Sequence, residues 1–260
     1  NYSDGLLLSV QADVSDLKNK TTKNTASSSI LQIIPFTSTI RWEVDYIQKK
    51  GRLETIYNSF KYQEYCINDL QKESLFGLSV KASLDKKNGM IPVLRMSNVI
   101  NGELDFSTLK YLPADCASTE KEPQKWILRK GDFLITRTNG SKDLIGKAAI
   151  FNSDETYTYA SYLIRYRFDT TIVLPEYVNI LFMTPLVREQ IAVMRRQGGG
   201  QYNLNSDEIG AIRLPVPSIP IQKQIIKKFF DAKDEAQIYY DAATKCQIEA
   251  AVDFEKEIFS

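Results

Sequence analysis

The sequence predicts an α/β (α+β) protein: a globular domain with a mixed β-sheet, followed by a long C-terminal coiled-coil helix. Short apolar runs separated by Gly- and Asn-containing turns fill residues 76–170 and are typical of strands. Two amphipathic helical patterns follow between residues 175 and 195. Residues 221 to about 258 contain neither Gly nor Pro, and their apolar residues repeat at spacings of four and three, the pattern of a coiled coil.

Composition indicates a soluble protein of the cytoplasm. The 260 residues are 43% hydrophobic and 25% charged, as in ordinary globular domains. No apolar run approaches the roughly 20 residues of a membrane span, and the N-terminus lacks the layout of a signal peptide. Cys66, Cys116 and Cys246 form no CxxC pair, and so sparse a set of thiols fits a reducing compartment.

The protein contains no histidine, and this removes the commonest general base and metal ligand. Ser-His-Asp and Cys-His nucleophile systems and HExxH metal sites are therefore excluded. No P-loop, GxGxxG or adenine methyltransferase motif is present. Carboxylate-only metal sites stay open, but Glu103 and Asp105 lack a partnering Lys in a nuclease pattern, and we interpret them as surface charges. The sequence thus predicts neither catalytic nor metal-binding residues.

The N-terminal segment is interpreted as a linker or as the tail of an upstream domain, because residues 18–29 are almost entirely polar. A short strand is predicted over residues 30–36. Residues 40–75 suit a strand followed by an irregular or helical piece. The predicted regions are 1–39 for the linker or tail, 40–220 for the globular domain and 221–260 for the long helix.

Turn residues and periodicity predict the order of elements in the globular domain. Gly131 and the cluster at 139–141 mark turns. Residues 159–168 alternate with a period near two, which predicts a half-buried strand. Pro175 suits a helix start, and three glycines at 198–200 end the second helical pattern. The predicted elements are strands over 91–96, 133–136, 159–168 and 212–216, helices over 176–183 and 186–195, and a short turn or helix at 206–209.

Two basic, glycine-containing segments, 137–142 and 195–203, are candidates for contacts with nucleic acid. Glycine lets backbone amides approach a phosphate, and Lys and Arg contact the phosphate backbone. Asn, Gln and Arg also read base edges in the major groove, although each segment taken alone also fits a plain solvated turn. The predicted DNA-binding residues are Arg95, Arg129, Lys130, Arg137, Asn139, Ser141, Lys142, Lys147, Arg195, Arg196, Gln197, Gln201 and Tyr202.

The C-terminal helix is long enough to need a partner. At 1.5 Å per residue it extends roughly 55 Å, and its alanines would let a second helix approach closely. The alternative is a helix that packs along its own domain. The predicted pairing residues are Ile225, Phe229, Ala232, Ala236, Tyr239, Ala243, Cys246 and Ala250.

An ordered series of segments over residues 75–260 resembles the target recognition domain and long helix of type I restriction-modification specificity subunits. The order and spacing of the segments carry the resemblance. The segments are LFGLSVKA at 75–82, GMIPVLRMSNV at 89–99, LRKGDFLITRTNGS at 128–141, LIGK at 144–147, YASYLIR at 159–165, IRLPVP at 212–217 and IQKQII at 221–226.

The resemblance implies a DNA-recognition role without catalysis. In this family two half-units lie at the ends of an antiparallel helical pair, and each reads one half of a split target on double-stranded DNA. The helices dock adenine methyltransferase subunits, which bind S-adenosylmethionine, so no cofactor is expected on this chain. A restriction subunit is a further expected partner of the complex.

This sequence departs from the family pattern because it carries one recognition domain and one helix. It would rebuild the two-part architecture as a homodimer or with a second half-unit, or it would be the C-terminal recognition part of a fused methyltransferase. The first residue is Asn1 rather than Met, which leaves open whether the chain is a fragment. Two other functions stay open: a carboxylate-metal nuclease, and a protein-interaction scaffold that acts through its helix.

Overall fold

A computed structural model describes residues 44–100, 102–113, 115 and 123–259. The chain divides into two compact units, residues 1–48 and residues 49–260, and nearly all of the described residues belong to the second. The strand predicted over residues 30–36 and the linker or tail predicted over 1–39 lie outside the described residues. The predicted domain boundaries stay predictions.

The elements alternate short strands with helices and end on one long helix. They are α1 (Val44–Tyr57), β1 (Glu64–Cys66), α2 (Ile67–Leu70), β2 (Gln71–Phe76), β3 (Met90–Leu94), β4 (Val99–Ile100), β5 (Glu103–Leu104), β6 (Lys110–Pro113), β7 (Phe133–Thr136), β8 (Thr138–Asn139), β9 (Ala148–Ile150), β10 (Thr158–Tyr159), β11 (Leu163–Phe168), α3 (Pro175–Met183), α4 (Pro185–Met194), β12 (Arg196–Gly198), β13 (Gln201–Asn203), α5 (Ser206–Gly210), β14 (Arg213–Pro215) and α6 (Ile219–Phe259).

The strand predicted at the start of residues 40–75 is wrong over residues 44–57, where the chain forms α1. Leu53 and Tyr57 lie one helical turn apart, and both are buried. The Tyr57 hydroxyl donates to Gln190 Oε1 at 2.9 Å, and the Arg213 guanidinium lies 3.9 Å from the centre of the Tyr57 ring. This tertiary packing outweighs the strand propensity of the local residues.

The main sheet has the order β2-β11-β7-β9, and all of its pairs are antiparallel. The strand predicted over residues 159–168 is confirmed over 163–168 as β11, but its predicted half-burial is wrong, because five of the six β11 residues are buried. On one face Ile164, Tyr166 and Phe168 belong to the core cluster that includes α3 and α4, whereas Leu163 packs into a second cluster. Other elements cover both faces of β11, so the alternation of residue types along this strand does not correspond to alternating exposure.

The basic residues of β11 form ion pairs inside the fold, although the buried Nε of Arg165 has no hydrogen-bond partner. Arg165 is fully buried and pairs with Glu73 of the neighbouring strand β2. Arg167 pairs with Glu73 at 3.0 Å and with Asp132 at 2.6 Å. Although burial raises the pKa of Glu73, the Arg165 and Arg167 guanidiniums hold it below its usual value. Paired charges of this kind are tolerated inside a protein because each carries its own counter-ion.

The predicted mixed sheet exists, but as one of several sheets. In the three-stranded sheet β10-β3-β6, β10 is parallel to β3 and β6 is antiparallel to it. Smaller sheets pair β1 with β14, β4 with β5, and β12 with β13 and β8. The fold class, a mixed α/β domain followed by a long helix, is confirmed.

The predicted helices over 176–183 and 186–195 are confirmed as α3 and α4, each of which has Pro in its first turn. The long helix α6 has 41 residues and is therefore about 61 Å long. Its first turns are attached to the domain through Gln222, which is fully buried, and through Ile225 and Ile226, which pack against the core. In the described part of the chain, no helix is both long and apolar enough to cross a membrane.

Candidate nucleic-acid interface

The two basic segments predicted separately form one small antiparallel sheet, β12-β13-β8, which we call the hairpin sheet. Tyr202 pairs with Asn139, and Asn203 pairs with Thr138. The Thr138 hydroxyl donates to Asn203 Oδ1 at 2.9 Å. Residues that are far apart in sequence are thus adjacent, and their side chains contribute to a single surface.

Sequence reasoning missed the hairpin of β12 and β13. Gly199 and Gly200 have φ angles of 59° and 74°, and two consecutive positive φ values are what a two-residue hairpin turn requires. The Gly-Gly pair was therefore a usable signal. The flanking residues are polar and show no strand-like apolar alternation, so the glycines also fit the end of a helix.

The strand register distributes the candidate side chains over two faces of the hairpin. Gln197 opposes Tyr202, and Gly198 opposes Gln201. Opposed residues share a face and successive residues alternate, so Gln197 and Gln201 lie on opposite faces. Both are exposed near the tip, where an amide side chain can reach the edge of a base pair.

Several predicted DNA-binding residues also organise this surface. Arg195 donates to the Lys142 carbonyl at 3.0 Å, and its guanidinium lies 5.5 Å from the Tyr202 ring centre. Arg196 pairs with Glu208 at 2.6 Å. The Arg195 contact ties the 137–142 segment to the base of the hairpin, and the Arg196 contact ties β12 to α5. Both use part of the hydrogen-bonding capacity of these arginines, whereas Lys142 is exposed.

The turn after β8 is closed by local hydrogen bonds. The Ser141 amide donates to Asn139 Oδ1 at 3.0 Å, and the Asp143 amide donates to Ser141 Oγ at 3.3 Å. Asn139 and Ser141 therefore shape the turn with their oxygens. The structure brings both predicted residues to the hairpin sheet, with part of their hydrogen-bonding capacity already used.

Arg188, which sequence reasoning missed, supports the same turn from α4. It donates to the carbonyls of Asp143 and Ile145 at 3.0 and 2.9 Å. Burial, together with the nearby Arg195, lowers the pKa of Arg188. No sequence signal distinguished it from an ordinary polar helix position. Arg188 also lines a cleft of about 360 Å³, together with Gly102, Asp143, Lys147, Ala148, Phe182 and Met183.

Three predicted residues are not brought to the hairpin sheet. Arg129 and Lys130 precede β7, whereas β8 follows its other end, and the exposed Lys130 pairs with Asp154 at 2.8 Å. Arg95 is partly buried, and its guanidinium lies 3.4 Å from the Thr108 carbonyl. A four-residue strand separates the two ends of β7 by about 13 Å, so Arg129 and Lys130 belong to another part of the surface.

The carboxylates considered for a nuclease have other contacts. Glu103 pairs with Lys233 of α6. Asp105 accepts a hydrogen bond from the Ser107 amide at 2.8 Å, and hydrogen bonds from Ser107 lower the pKa of Asp105. Among the residues with described positions, no group of three His, Cys, Asp or Glu could hold a metal ion.

The predicted pairing residues of α6 differ along the helix. Ile225 and Phe229 are half-buried, and Ile225 packs against the domain core. The first turns of α6 therefore pack against the globular domain of the same chain, which is the alternative to pairing with a second helix. The six predicted pairing residues from Ala232 to Ala250 are exposed. They are Ala232, Ala236, Tyr239, Ala243, Cys246 and Ala250.

Comparison with known proteins identifies the family. Residues 61–249 match the model of the type I restriction modification DNA specificity domain. The chain is 28% identical over 186 residues to the type I restriction enzyme EcoKI specificity subunit of Escherichia coli K12, covering 68% of this chain and 38% of that protein. It is 25% identical over 138 residues to the StySPI specificity subunit of Salmonella potsdam, covering 53% of this chain and 28% of that protein.

Solved structures share the fold at low sequence identity. One, from work on complex assembly and conformational transition of the type I R-M system, has a TM-score of 0.51 and 11% identity and covers 82% of this chain and 50% of that chain. The type IIG restriction endonuclease BpuSI has a TM-score of 0.50 and 10% identity over 69% of this chain and 28% of its own. Because the family model matches most of the sequence, this chain belongs to the family of type I restriction modification DNA specificity domains.

Proposed function

We propose that this chain is a sequence-specific DNA-recognition half-unit that directs a partner adenine methyltransferase to one half of a split target. The observation that carries the proposal is the hairpin sheet, which joins both basic segments in a member of a DNA specificity family. Its tip has two exposed Gln side chains on opposite faces of a glycine turn, and Lys142 lies exposed beside it. These groups match the acceptors of a phosphate backbone and the edges of bases.

Contacts divide by chemistry within this surface. Lys142 supplies a positive charge to the phosphate backbone, because it is exposed and its carbonyl is held in place by Arg195. Gln197 and Gln201 are suited to base edges, since an amide donates and accepts in the paired pattern that adenine presents. Arg196 is partly neutralised by Glu208 and contributes less charge than its exposure suggests.

The remaining functions fall to partners. In this proposal methyl transfer, and the S-adenosylmethionine that it consumes, belong to the methyltransferase subunits, and this chain has no catalytic role and binds no cofactor. The exposed residues of α6 from Ala232 to Ala250 pair with a second half-unit, either another copy or a different chain. A restriction subunit would join the same cytoplasmic complex. The match covers 38% of the EcoKI subunit, less than half of that protein, and so fits a single half-unit.

A domain exchange tests the proposal. Adenine methylation is mapped by single-molecule sequencing in cells with the intact system and in cells where residues 76–220 are replaced by another recognition domain. One half of the methylated motif should change while the other half is retained. An unchanged motif in a folded and assembled complex would reject the recognition role and favour the scaffold.

A charge substitution tests the interface within the same complex. Lys142→Gln should reduce the slope of log K against log salt concentration by about 1, the value for one lost phosphate contact. The matched control is Lys245→Gln, which removes an exposed lysine from the distal part of α6 and should leave the slope unchanged. A wild-type slope in the Lys142 variant would remove this residue from the interface.

A further inference from the structure

An exposed group of two aromatic residues and one arginine lies directly beside the hairpin sheet. Phe76, the last residue of β2, is 42% exposed, and Tyr162, just before β11, is 48% exposed. Arg137 connects β7 to β8, its amide donates to the Tyr162 carbonyl at 3.0 Å, and its guanidinium lies 5.0 Å from the centre of the Phe76 ring. We call Phe76, Arg137 and Tyr162 the aromatic patch.

The position of the aromatic patch follows from the strand register. Phe76 and Ile135 both oppose Ile164, so all three residues share the sheet face that α3 and α4 cover. Ile135 and Ile164 are fully buried in that core. Phe76 is on the edge strand, where the helices no longer cover the face, and its ring is left to Arg137 and to solvent.

Among the buried and partly buried arginines that the structure describes, Arg137 is the one whose guanidinium has no acceptor; the exposed Arg52 and Arg129 also lack one. Arg165, Arg167, Arg188, Arg195, Arg196 and Arg213 each donate to a carboxylate or a carbonyl. In the described part of the chain the Arg137 side chain makes no hydrogen bond, and its buried Nε atom is unsatisfied. The two Nη groups of a guanidinium that is held on an aromatic ring and has no acceptor within the described residues are preorganised for an external acceptor.

The charge of the surrounding segments points to a polyanion. Residues 76–82, 136–142 and 158–163 contain three basic residues, Lys81, Arg137 and Lys142, and no Asp or Glu. The patch is also continuous with the hairpin sheet, since Thr138 follows Arg137 and the Leu204 amide donates to the Arg137 carbonyl at 2.8 Å.

We propose that the aromatic patch is a second contact surface for the same DNA duplex, in which Phe76 and Tyr162 pack against deoxyribose or thymine methyl groups while Arg137 donates to a phosphate or base edge. This inference rests on the proposed function. In this arrangement Phe76 and Tyr162 make the apolar contacts with DNA that the polar side chains of the hairpin cannot make.

The test uses the intact methyltransferase complex and a duplex containing its methylated motif, with dissociation constants measured at several salt concentrations. Phe76→Ala and Tyr162→Ala should each weaken binding about tenfold, as expected for the loss of one apolar contact with a base or sugar. The salt slope should stay unchanged, because no charge is removed. Arg137→Gln should weaken binding and lower the slope by about 1.

Conservative and matched variants make the outcome decisive. Tyr162→Phe and Phe76→Tyr keep the rings and should retain wild-type affinity, and Phe106→Ala removes a ring of similar exposure (40%) outside the patch and should have no effect. Unchanged affinity in the folded Phe76→Ala and Tyr162→Ala complexes would overturn the inference. Loss of complex assembly with DNA affinity retained would also overturn it and would make the patch a protein contact.

The Lys142 variant separates this inference from the proposed function. If Lys142→Gln lowers the salt slope and the aromatic variants bind normally, only the aromatic patch fails. If the wild-type complex has no preference for its motif over a scrambled duplex, the proposed function itself fails.

Discussion

Two groups of basic side chains belong to neighbouring parts of one sheet and have opposite environments. In β11, Arg165 and Arg167 are paired with Glu73 and Asp132 inside the fold. One strand away, Arg137 has no acceptor among the described residues and lies beside the exposed hairpin sheet. Both groups alternate with apolar or small residues in the sequence. The difference arises from which carboxylates the register places opposite them, so a basic residue indicates binding only when the fold leaves its donors unused.

The largest expected effect concerns the buried pairs. Glu73→Gln removes the charge that faces both Arg165 and Arg167, and it should lower the free energy of unfolding by about 3 kcal/mol, the low end for breaking a buried pair because Glu73 is partly exposed. Urea denaturation of the full chain measures the loss. Lys72→Gln breaks the exposed pair with Asp169 and should cost less than about 1 kcal/mol. Equal losses in the two variants would contradict the assignment of Glu73 as the critical counter-ion.

A second effect concerns the attachment of α6. The buried Gln222 side chain accepts from the Leu174 amide at 2.8 Å and donates to the carbonyls of Ile172 and Pro217 at 2.9 and 2.7 Å. Gln222→Leu leaves these three backbone groups unsatisfied and should lower the free energy of unfolding by about 2 kcal/mol. The exposed Gln224→Leu serves as the control in the same urea titration. A loss below about 0.5 kcal/mol would mean that water replaces the amide.

The pH dependence of stability should reveal the same ion pairs. The pKa of Glu73 is held below its ordinary value of 4.5 in the folded state. The contribution of Glu73 to the free energy of unfolding is therefore fully present above pH 4.5, and it is lost as the pH falls through the pKa of the folded state. One carboxylate changes the free energy of unfolding by at most about 1.4 kcal/mol per pH unit. Urea midpoints measured from pH 7 to pH 3 should fall more steeply for the wild type than for Glu73→Gln.

Other carboxylates do not obscure this difference. The pKa of Asp169 is lowered to about 2, chiefly by hydrogen bonds from Thr171, and Asp169 is present in both proteins. Identical slopes in the wild type and in Glu73→Gln would show that the Glu73 pairs do not stabilise the folded state.

The smallest expected effect concerns the hairpin. Gly200 has φ 74°, and a Cβ atom added to it would meet only open space, so Gly200→Ala should cost only the backbone strain of the left-handed region, about 1 kcal/mol. That cost weakens DNA binding by at most about fivefold, and the full effect requires that the unbound hairpin relaxes to another conformation. Gly140→Ala, which also meets open space but has no positive φ, is the control. Equal affinities of the two variants would argue that the hairpin conformation does not contribute to binding.

The elements with strong local signals were predictable. The strand at Phe133–Thr136, the helices α3 and α4 and the long helix α6 all follow from periodicity, proline and glycine positions. The sequence signal failed where packing decides between alternatives, as in α1, where the buried side of Leu53 and Tyr57 determines the conformation, and in β11, whose alternation is hidden by coverage of both faces.

The candidate site was predictable in composition and not in geometry. Both basic segments, their glycines and the absence of a histidine-based active site are properties of the sequence. Phe76 and Tyr162 were missed because an aromatic residue at the end of a strand carries no local sign that its neighbours leave it uncovered. Arg188 was missed because its acceptors are carbonyls distant in the sequence, those of Asp143 and Ile145.

The class of the fold, the long helix and the two basic segments could be inferred before any coordinates, since each depends on residues close together in the chain. Contacts between distant residues were needed to show that the segments join as one sheet, that Arg165 and Arg167 are paired with carboxylates while Arg137 is not, and that α6 is attached through Gln222. The physical reason is that pairing, burial and charge compensation depend on contacts between distant residues, which the strand register selects and local propensity does not.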